Sequence, residues 1–556
     1  MTIRDSITPV SHATPEIRSR DLRAADLYVD VMLRSSDGGA ITTRGSSTIP
    51  PGARATLARV LAAFREQSVC YSVADDPASL DALRGLPRLV ATPTTIDDSR
   101  PQPFVLDGHR LYLHRAWAQE CEVAEYVRGT RSRIDVQIVT GGPGSGKTSD
   151  VARQLLELVR QSGTQQPAIA LTAPTGKAAK RVRQAIERSL TYHNPTPAEQ
   201  EAILALPAQT VHKLLGANPA GVERQFKYGP DEHLPYTHVF VDEASMMSLD
   251  MMHHLMVALP DGAQLTLIGD PDQLASVDSG TVLGDIVKAG AGRLRRRTER
   301  YRHRNCPKVM ALADAIRDGD ADTAIRILSK DSGEVRWVRD PKDVNAISEV
   351  CDTVVAHARS IMKEAHAANL VAASSKRMEM QVLCAHRRGA MGVAGWNREI
   401  ERRLGPDSVG QWYVGRPVIV TVNDRVSGLS NGDVGVLCRV NGERVVSFSA
   451  VEPPVSVAVT RLPQHETVHA LTIHKSQGSE YAHVVVVLPE GESRILTREL
   501  LYTGVTRAFR SLTLIGSEDQ ITRAINTPVR RATGLAERIS SDPAENPSRE
   551  PVARSD

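Results

Sequence analysis

Residues 134–148 read I-D-V-Q-I-V-T-G-G-P-G-S-G-K-T, an apolar strand that runs directly into a glycine loop closing on Lys147 and Thr148. This is the arrangement of a phosphate-binding loop. Its glycines let successive backbone N–H groups turn inward on phosphate oxygens, and the helix that follows adds the positive end of its dipole. The expected nucleotide contacts are Gly142, Pro143, Gly144, Ser145, Gly146, Lys147, Thr148 and Ser149. Lys147 is placed to reach the β- and γ-phosphates of ATP, and the Thr148 hydroxyl to hold Mg²⁺.

The chain around this loop is long, 556 residues, and single cores stop growing at about 250–300 residues, so several domains are expected. Apolar content of 41% and charged content of 24% are those of an ordinary globular protein. Formal net charge is only +3, so a nucleic-acid contact must come from local basic surface and backbone donors rather than from a global positive field. Six cysteines are scattered without C-x-x-C spacing, which points to buried reduced thiols rather than a metal site. The sequence holds no apolar run of membrane-spanning length and no signal-peptide pattern at its start, and a cytoplasmic location is expected.

Apolar strands alternating with helical stretches continue outward from the loop: Ala168–Thr172, His238–Val241 and Gln264–Ile268 follow Ile134–Thr140. Such alternation predicts a parallel sheet covered by helices, with ligands at the carboxyl ends of its strands. A second set, Gln381–Ala385, His469–Ile473, Val484–Leu488 and Leu512–Ile515, predicts a second unit of the same kind. The expected division is a small N-terminal docking domain over 1–130, a first α/β unit over 131–295, and a second over 296–404 and 466–540. An inserted antiparallel β module is expected over 405–465 and a disordered tail over 541–556. In the first of these, Leu57, Val60, Leu61 and Phe64 fall on one face of a helix, and Phe104–Leu106 and Leu111–Leu113 flank Asp107-Gly108 as a hairpin would.

Two carboxylates, Asp242 and Glu243, end the apolar strand V-F-V beside which the phosphate loop should open. Asp242 is expected to complete the Mg²⁺ shell through water, and Glu243 to polarise the water that attacks the γ-phosphate. Gln273, in L-I-G-D-P-D-Q-L, is placed to sense that phosphate. Thr175, in A-P-T-G-K-A-A, would present a hydroxyl and loop N–H groups to a phosphate backbone.

The set G-G-P-G-S-G-K-T, L-T-A-P-T-G-K-A-A, T-V-H-K-L-L-G, V-D-E-A-S-M, L-I-G-D-P-D-Q-L-A-S-V, Y-R, T-I-H-K-S-Q-G-S-E and Y-T-G-V-T-R-A resembles the superfamily 1 DNA helicases. With L-C-A-H-R-R-G-A-M-G-V-A-G-W-N, G-R-P-V-I-V-T-V-N-D and N-G-D-V-G it resembles more narrowly the RecD family, the α subunits of exonuclease V. This implies an α/β fold with two RecA-like P-loop motor domains, an inserted SH3-like β module and a small N-terminal domain. It also implies ATP-driven 5′-to-3′ movement along single-stranded DNA at duplex ends, in double-strand-break repair. The implied partners are RecB-like and RecC-like subunits in a heterotrimer, and no nuclease centre stands out in this chain.

Carried over by motif, Arg302 and Arg507 resemble the family's two arginines that reach the γ-phosphate from the second motor domain. Thr175, His212, Thr472, His474 and Ser476 match its DNA-facing positions. The remaining arginines around Arg302, from Arg293 to Arg304, read as a solvated basic face. His212 and His474 have core histidines as their alternative reading, and Trp396 and Trp412 are either stacking platforms for bases or buried anchors. The chain departs from the family before the phosphate loop, where the stretch from Trp117 to Ile134 is short for the usual adenine-reading glutamine helix. Gln119 and Tyr126 are the nearby candidates for that contact. The tyrosine–arginine pair is followed by His303-Arg304 in place of the usual aromatic. A helicase working without partners and a non-catalytic scaffold subunit are the alternative functions.

Overall fold

The computed structural model describes residues 51–96, 102–131, 134–162, 168–218, 225–276, 279–297, 306–330, 332–405, 408, 412–449 and 454–541. Arg302, with Tyr301, His303 and Arg304, lies outside the described residues, as does the tail beyond Ser541.

The strand entering the phosphate loop, Asp135–Thr140, sits inside a six-stranded parallel sheet. Its order is Arg293–Arg296, Asp135–Thr140, Gln264–Gly269, His238–Val241, Ile169–Ala173 and Ala208–Thr210. Both faces are covered, which is why the central strands read as continuous apolar runs. Ile138, Val239, Val241, Leu265 and Leu267 turn to one face against the helices His114–Arg128, Leu249–Val257 and Val282–Ala289. Val139, Phe240 and Ile268 turn to the other, against Lys147–Ser162 and Gly176–Leu190.

A second parallel sheet runs Val335–Val338, Ala508–Ile515, Tyr481–Val487, Met380–Cys384 and Ala470–Thr472. The chain leaves it after the helix Val393–Leu404 and returns at Ala470. Between these points lies a five-stranded antiparallel sheet in the order Val455–Ala458, Glu443–Phe448, Val434–Val440, Pro417–Val420 and His465–Thr467. Its turn at Asn431–Asp433 lands on the start of the helix Gly176–Leu190. There Lys180 pairs with Asp433 at 2.7 Å, and a Cβ on Gly176 would stand 3.1 Å from Ser430.

The N-terminal sheet is Cys70–Ser72, Arg110–Leu113, Phe104–Asp107 and Val90–Ala91, and it includes the expected hairpin with Gly108 at φ 59°. The helix Pro51–Arg65 buries Leu57 and Val60 against it. The helix His114–Arg128, expected within the N-terminal 1–130 unit, shares one core with that unit's Val105 and Tyr112 and with the first parallel sheet, where Trp117, Val123 and Ala124 pack with Met252 and Leu255.

A C-terminal strap ties these parts together. Glu120 is fully buried and accepts hydrogen bonds from Tyr112 Oη (3.0 Å), Thr533 Oγ1 (3.0 Å), Gly534 N (3.1 Å) and Arg538 Nε (2.9 Å). A side chain at Gly534 would collide with Tyr112 Oη and Glu120, so the crossing needs glycine. Arg293, Arg295 and Arg296 keep the solvated side chains expected of them, on a parallel edge strand of the first sheet, Arg293–Arg296, paired to Gln137–Thr140. Charged side chains on an edge strand discourage pairing with another chain.

Candidate functional site

Gly144 and Gly146 take φ of 71° and 83°, backbone that glycine adopts without a Cβ penalty, and this curls the loop's N–H groups inward. Gly141 is fixed by crowding, because a Cβ there would lie 2.7 Å from the Arg297 carbonyl oxygen. The Lys147 ammonium arches back over this bowl and donates to the carbonyls of Gly141 and Gly142, the latter at 3.0 Å. Behind the loop, the buried Asp150 holds Arg153 at 2.7 Å and also Arg297. Ser149 is hydrogen-bonded to His193 at 3.1 Å.

The acidic pair closes the other wall. Asp242 follows the strand His238–Val241 and is anchored by its N–H on the Thr172 carbonyl at 2.9 Å. Burial first, and then the neighbouring Glu243, push its carboxyl up to about 7. Glu243 adopts φ 53°, ψ 38°, a left-handed conformation unusual for a non-glycine residue and of the kind that accumulates at functional sites. Its carboxylate oxygen lies 3.8 Å from where a Cβ on Gly478 of the second α/β unit would stand.

The second unit meets this site across a cleft. Arg507 is 3% exposed, and its guanidinium donates to Thr503 O (3.1 Å), Ser479 O (3.2 Å) and, from Nη2, to Gln273 Oε1 (3.0 Å). Gln273 in turn donates to Asp270 Oδ2 at 2.9 Å, and Tyr502 Oη donates to the same oxygen at 3.1 Å. The Tyr502 hydroxyl also stands 3.2 Å from a Cβ position at Gly142, over the phosphate loop. Two further bonds seal the contact: Leu274 N to Thr503 Oγ1 (3.0 Å) and Gln477 Nε2 to Leu274 O (2.8 Å). Lys147, Thr148, Asp242, Glu243, Gln273 and Arg507 are thus gathered at one cleft from elements as far apart in sequence as Gly141 and Arg507.

Asp270, Gln477, Tyr502 and Thr503 had no role in the sequence reading. Each lies inside a motif that carried the helicase resemblance, and their pairing across the cleft depends on spatial proximity that spacing does not report. Gln119 and Tyr126 are used elsewhere: Gln119 donates to Asp250 at 2.8 Å, and Tyr126 is buried beneath Arg131.

The expected DNA-facing residues sit at the carboxyl ends of three strands. Thr175 caps the helix Gly176–Leu190 by accepting from Ala178 N at 3.2 Å. His212 and His474 are exposed, which removes the core-histidine alternative. Thr472 is nearly buried and accepts from Lys475 N at 3.3 Å. Ser476 departs from expectation: it is fully buried with its hydroxyl donated to Ile473 O at 2.6 Å, so it shapes the turn carrying His474 and offers no side-chain surface. Trp396 is an anchor, 4% exposed in the core of the second unit, whereas Trp412 is half-buried beneath Arg416.

Among the described residues no three His, Cys, Asp or Glu side chains cluster as a metal site. The donors fit Mg²⁺ nonetheless, because that ion is held in phosphate-loop sites by few protein groups and by the nucleotide's own oxygens. The Asp242 carboxyl, held up by desolvation and by Glu243, would be favoured in its charged form by a cation there. All six cysteines are free, five of them buried, and among the described residues no helix is long and apolar enough to cross a membrane.

Residues 122–340 match the family model of an AAA domain and residues 467–515 that of the UvrD-like helicase C-terminal domain. The chain is 38% identical to the RecBCD enzyme subunit RecD of Mycolicibacterium smegmatis, over 88% of this chain and 94% of that protein. It is 30% identical to the subunit of the same name from Haemophilus influenzae, over 78% and 80%. The ATP-dependent RecD2 DNA helicase of Deinococcus radiodurans is 29% identical, over 76% of this chain and 52% of that protein.

Proposed function

The chain belongs to the RecD family of RecBCD enzyme subunits, and we propose that it is the 5′-to-3′ motor of an exonuclease V complex, drawing in single-stranded DNA from duplex ends. It is a DNA-dependent ATPase and helicase. RecB-like and RecC-like chains are its partners in this reading, the complex acts in the cytoplasm on double-strand breaks, and strand cleavage falls to a partner.

What most supports a working motor is the Arg507–Gln273 bond across the cleft. A scaffold with a merely structural nucleotide site has no use for an arginine from one unit set against a glutamine of the other, beside a water-polarising acid. In this reading Lys147 and the loop N–H groups bind the β- and γ-phosphates, and Glu243 takes the proton side of water attack. Arg507, with Arg302, neutralises charge that develops on the γ-phosphoryl group, a task suited to a planar and permanently charged fork. Thr148, and Asp242 through water, would hold Mg²⁺, which supplies charge neutralisation at the phosphate oxygens.

Gln273 is bonded at once to Asp270 and to Arg507, so loss of the γ-phosphate would be felt by both units. Closure and release of the cleft would then shift Thr175 and His212 on one unit relative to Thr472 and His474 on the other, and alternating grip on phosphates becomes movement. The RecD subunit of Mycolicibacterium smegmatis is 38% identical over 94% of its length, whereas the RecD2 helicase is 29% identical over 52% of its own, which favours the subunit reading.

The test is unwinding of duplexes carrying one single-stranded tail, by the native assembly in which the partner motor is inactivated. A 5′ tail should support unwinding and single-stranded DNA should stimulate hydrolysis, with binding that weakens steeply as salt rises. Unwinding that needs a 3′ tail, or hydrolysis indifferent to DNA, would overturn the reading.

A further inference from the structure

A small cavity of about 20 Å³ lies where the inserted antiparallel module is rooted in the second motor unit. Its walls come from the helix Val344–His366 (Val354, His357), from Arg377 and Gln381, and from Pro417 and His469 at the two chain crossings into and out of the module.

Arg377 is 4% exposed, and none of its three guanidinium nitrogens has a hydrogen-bond partner. An arginine stays charged in a protein, so this group cannot escape burial by losing its proton. Its guanidinium lies over the Tyr481 ring, 5.7 Å from Cζ to centroid, which leaves the N–H donors unfilled, and its charge also acts on Lys177, His357 and His469. Among the described residues no carboxylate lines the cavity; Glu379, two residues on from Arg377, is held by Lys376 at 3.0 and 3.2 Å.

The other lining groups add donors and no negative charge. Burial drives His357 down to about 4 and His469 to about 3, so both are neutral near pH 7. His357 Nε2 is unpartnered, and His469 is held by Tyr413 Oη at 2.5 Å. Gln381 spends its amide N–H groups on His469 O (2.8 Å) and Val382 O (3.1 Å), and its Oε1, also without a partner, is the one neutral acceptor among the lining side chains that have unpartnered atoms. That single neutral acceptor cannot balance a buried cation with five N–H bonds to place.

We propose that the cavity binds a halide-sized monovalent anion, chloride in the cell, held by Arg377 and pinning the root of the inserted module to the second motor unit. The volume sets the size class. It exceeds the roughly 10–15 Å³ that one water needs, a halide is only slightly larger than water, and a phosphate or a nucleotide is far too large. Water alone would fill hydrogen bonds and leave the charge uncompensated.

The test is thermal unfolding of the full-length protein, in the assembly in which it purifies, with chloride titrated against gluconate at constant ionic strength. The wild type should gain a saturable rise of roughly 3–5 °C, bromide should replace chloride, and Arg377→Met should show no rise in either halide. Should Arg377→Met not fold, crystals of the wild type grown in bromide decide the matter through an anomalous peak within hydrogen-bonding reach of Arg377. A wild type indifferent to halide, a variant with an undiminished response, or a guanidinium surrounded only by water in bromide would overturn the proposal.

Discussion

The molecule contains two parallel sheets of the same design, and they present opposite chemistry to one cleft. At the carboxyl ends of the first stand a curled glycine loop, an ammonium and two acids. Facing them from the second are a buried arginine, a tyrosine and a glutamine, donors with no loop of their own to cradle phosphates. The first half holds what is needed to bind nucleotide, and the second holds what is needed to react to it. Binding and hydrolysis should therefore separate by mutation according to the half that is altered.

The largest effect belongs to the first half. Lys147→Ala should weaken nucleotide binding and hydrolysis together, whereas Glu243→Gln should keep binding and lower steady-state hydrolysis by about 10²–10³, the usual loss for a group acting only in the transition state. A Glu243→Gln protein with more than half of wild-type ATPase activity would break the assignment. In the second half, Arg507→Lys should cost about 10²-fold in turnover, since a point charge cannot reproduce the fork that reaches Gln273 while bonding Thr503 and Ser479. Near-normal turnover in that variant would show that the guanidinium only packs the helix end.

Smaller still is Tyr502→Phe, which deletes one hydrogen bond to Asp270 and leaves the ring in place. A roughly three- to tenfold fall in DNA-stimulated turnover, with nucleotide affinity kept, would match the usual worth of one buried bond, and an unchanged DNA response would confine the tyrosine to packing. Gln119→Ala should change nucleotide affinity by no more than about twofold, because that amide is bonded to Asp250 on the side of the first sheet facing Leu249–Val257. A tenfold loss of ATP affinity would restore the helix His114–Arg128 as an adenine reader.

The first half was legible because its chemistry is contiguous: Ile134–Thr148 and Val239–Glu243 each spell strand and site in a single run, and the structure places those strands within a residue or two. The second half's strands were legible as apolar runs, but its chemistry was legible only through resemblance. Arg507 touches Gln273 although 234 positions separate them, and nothing local in V-T-R-A announces it. The strand Arg293–Arg296 escaped because an edge strand facing solvent keeps its charges and shows no apolar alternation. The helix His114–Arg128 was grouped with the N-terminal unit by proximity in sequence, and its buried face, Trp117 and Val123, packs both with that unit's Tyr112 and with the first sheet's covering helix Leu249–Val257. The strap was invisible for a related reason: Glu120 is a charged residue in a polar-looking helix, and only the convergence of Tyr112, Gly534 and Arg538 makes its burial tolerable. Removing residues 1–115 would strip Tyr112 and Val105 from that core, so a truncation meant to isolate the motor would also loosen it.

The claim that hydrolysis needs both halves of one cleft is tested most directly by single-turnover hydrolysis in Arg507→Ala, at saturating ATP with single-stranded DNA present and with nucleotide affinity measured on the same preparation. The account predicts affinity within about threefold of wild type and a hydrolysis rate lower by about 10² or more. Hydrolysis at the wild-type rate, or a loss explained entirely by weaker binding, would contradict it.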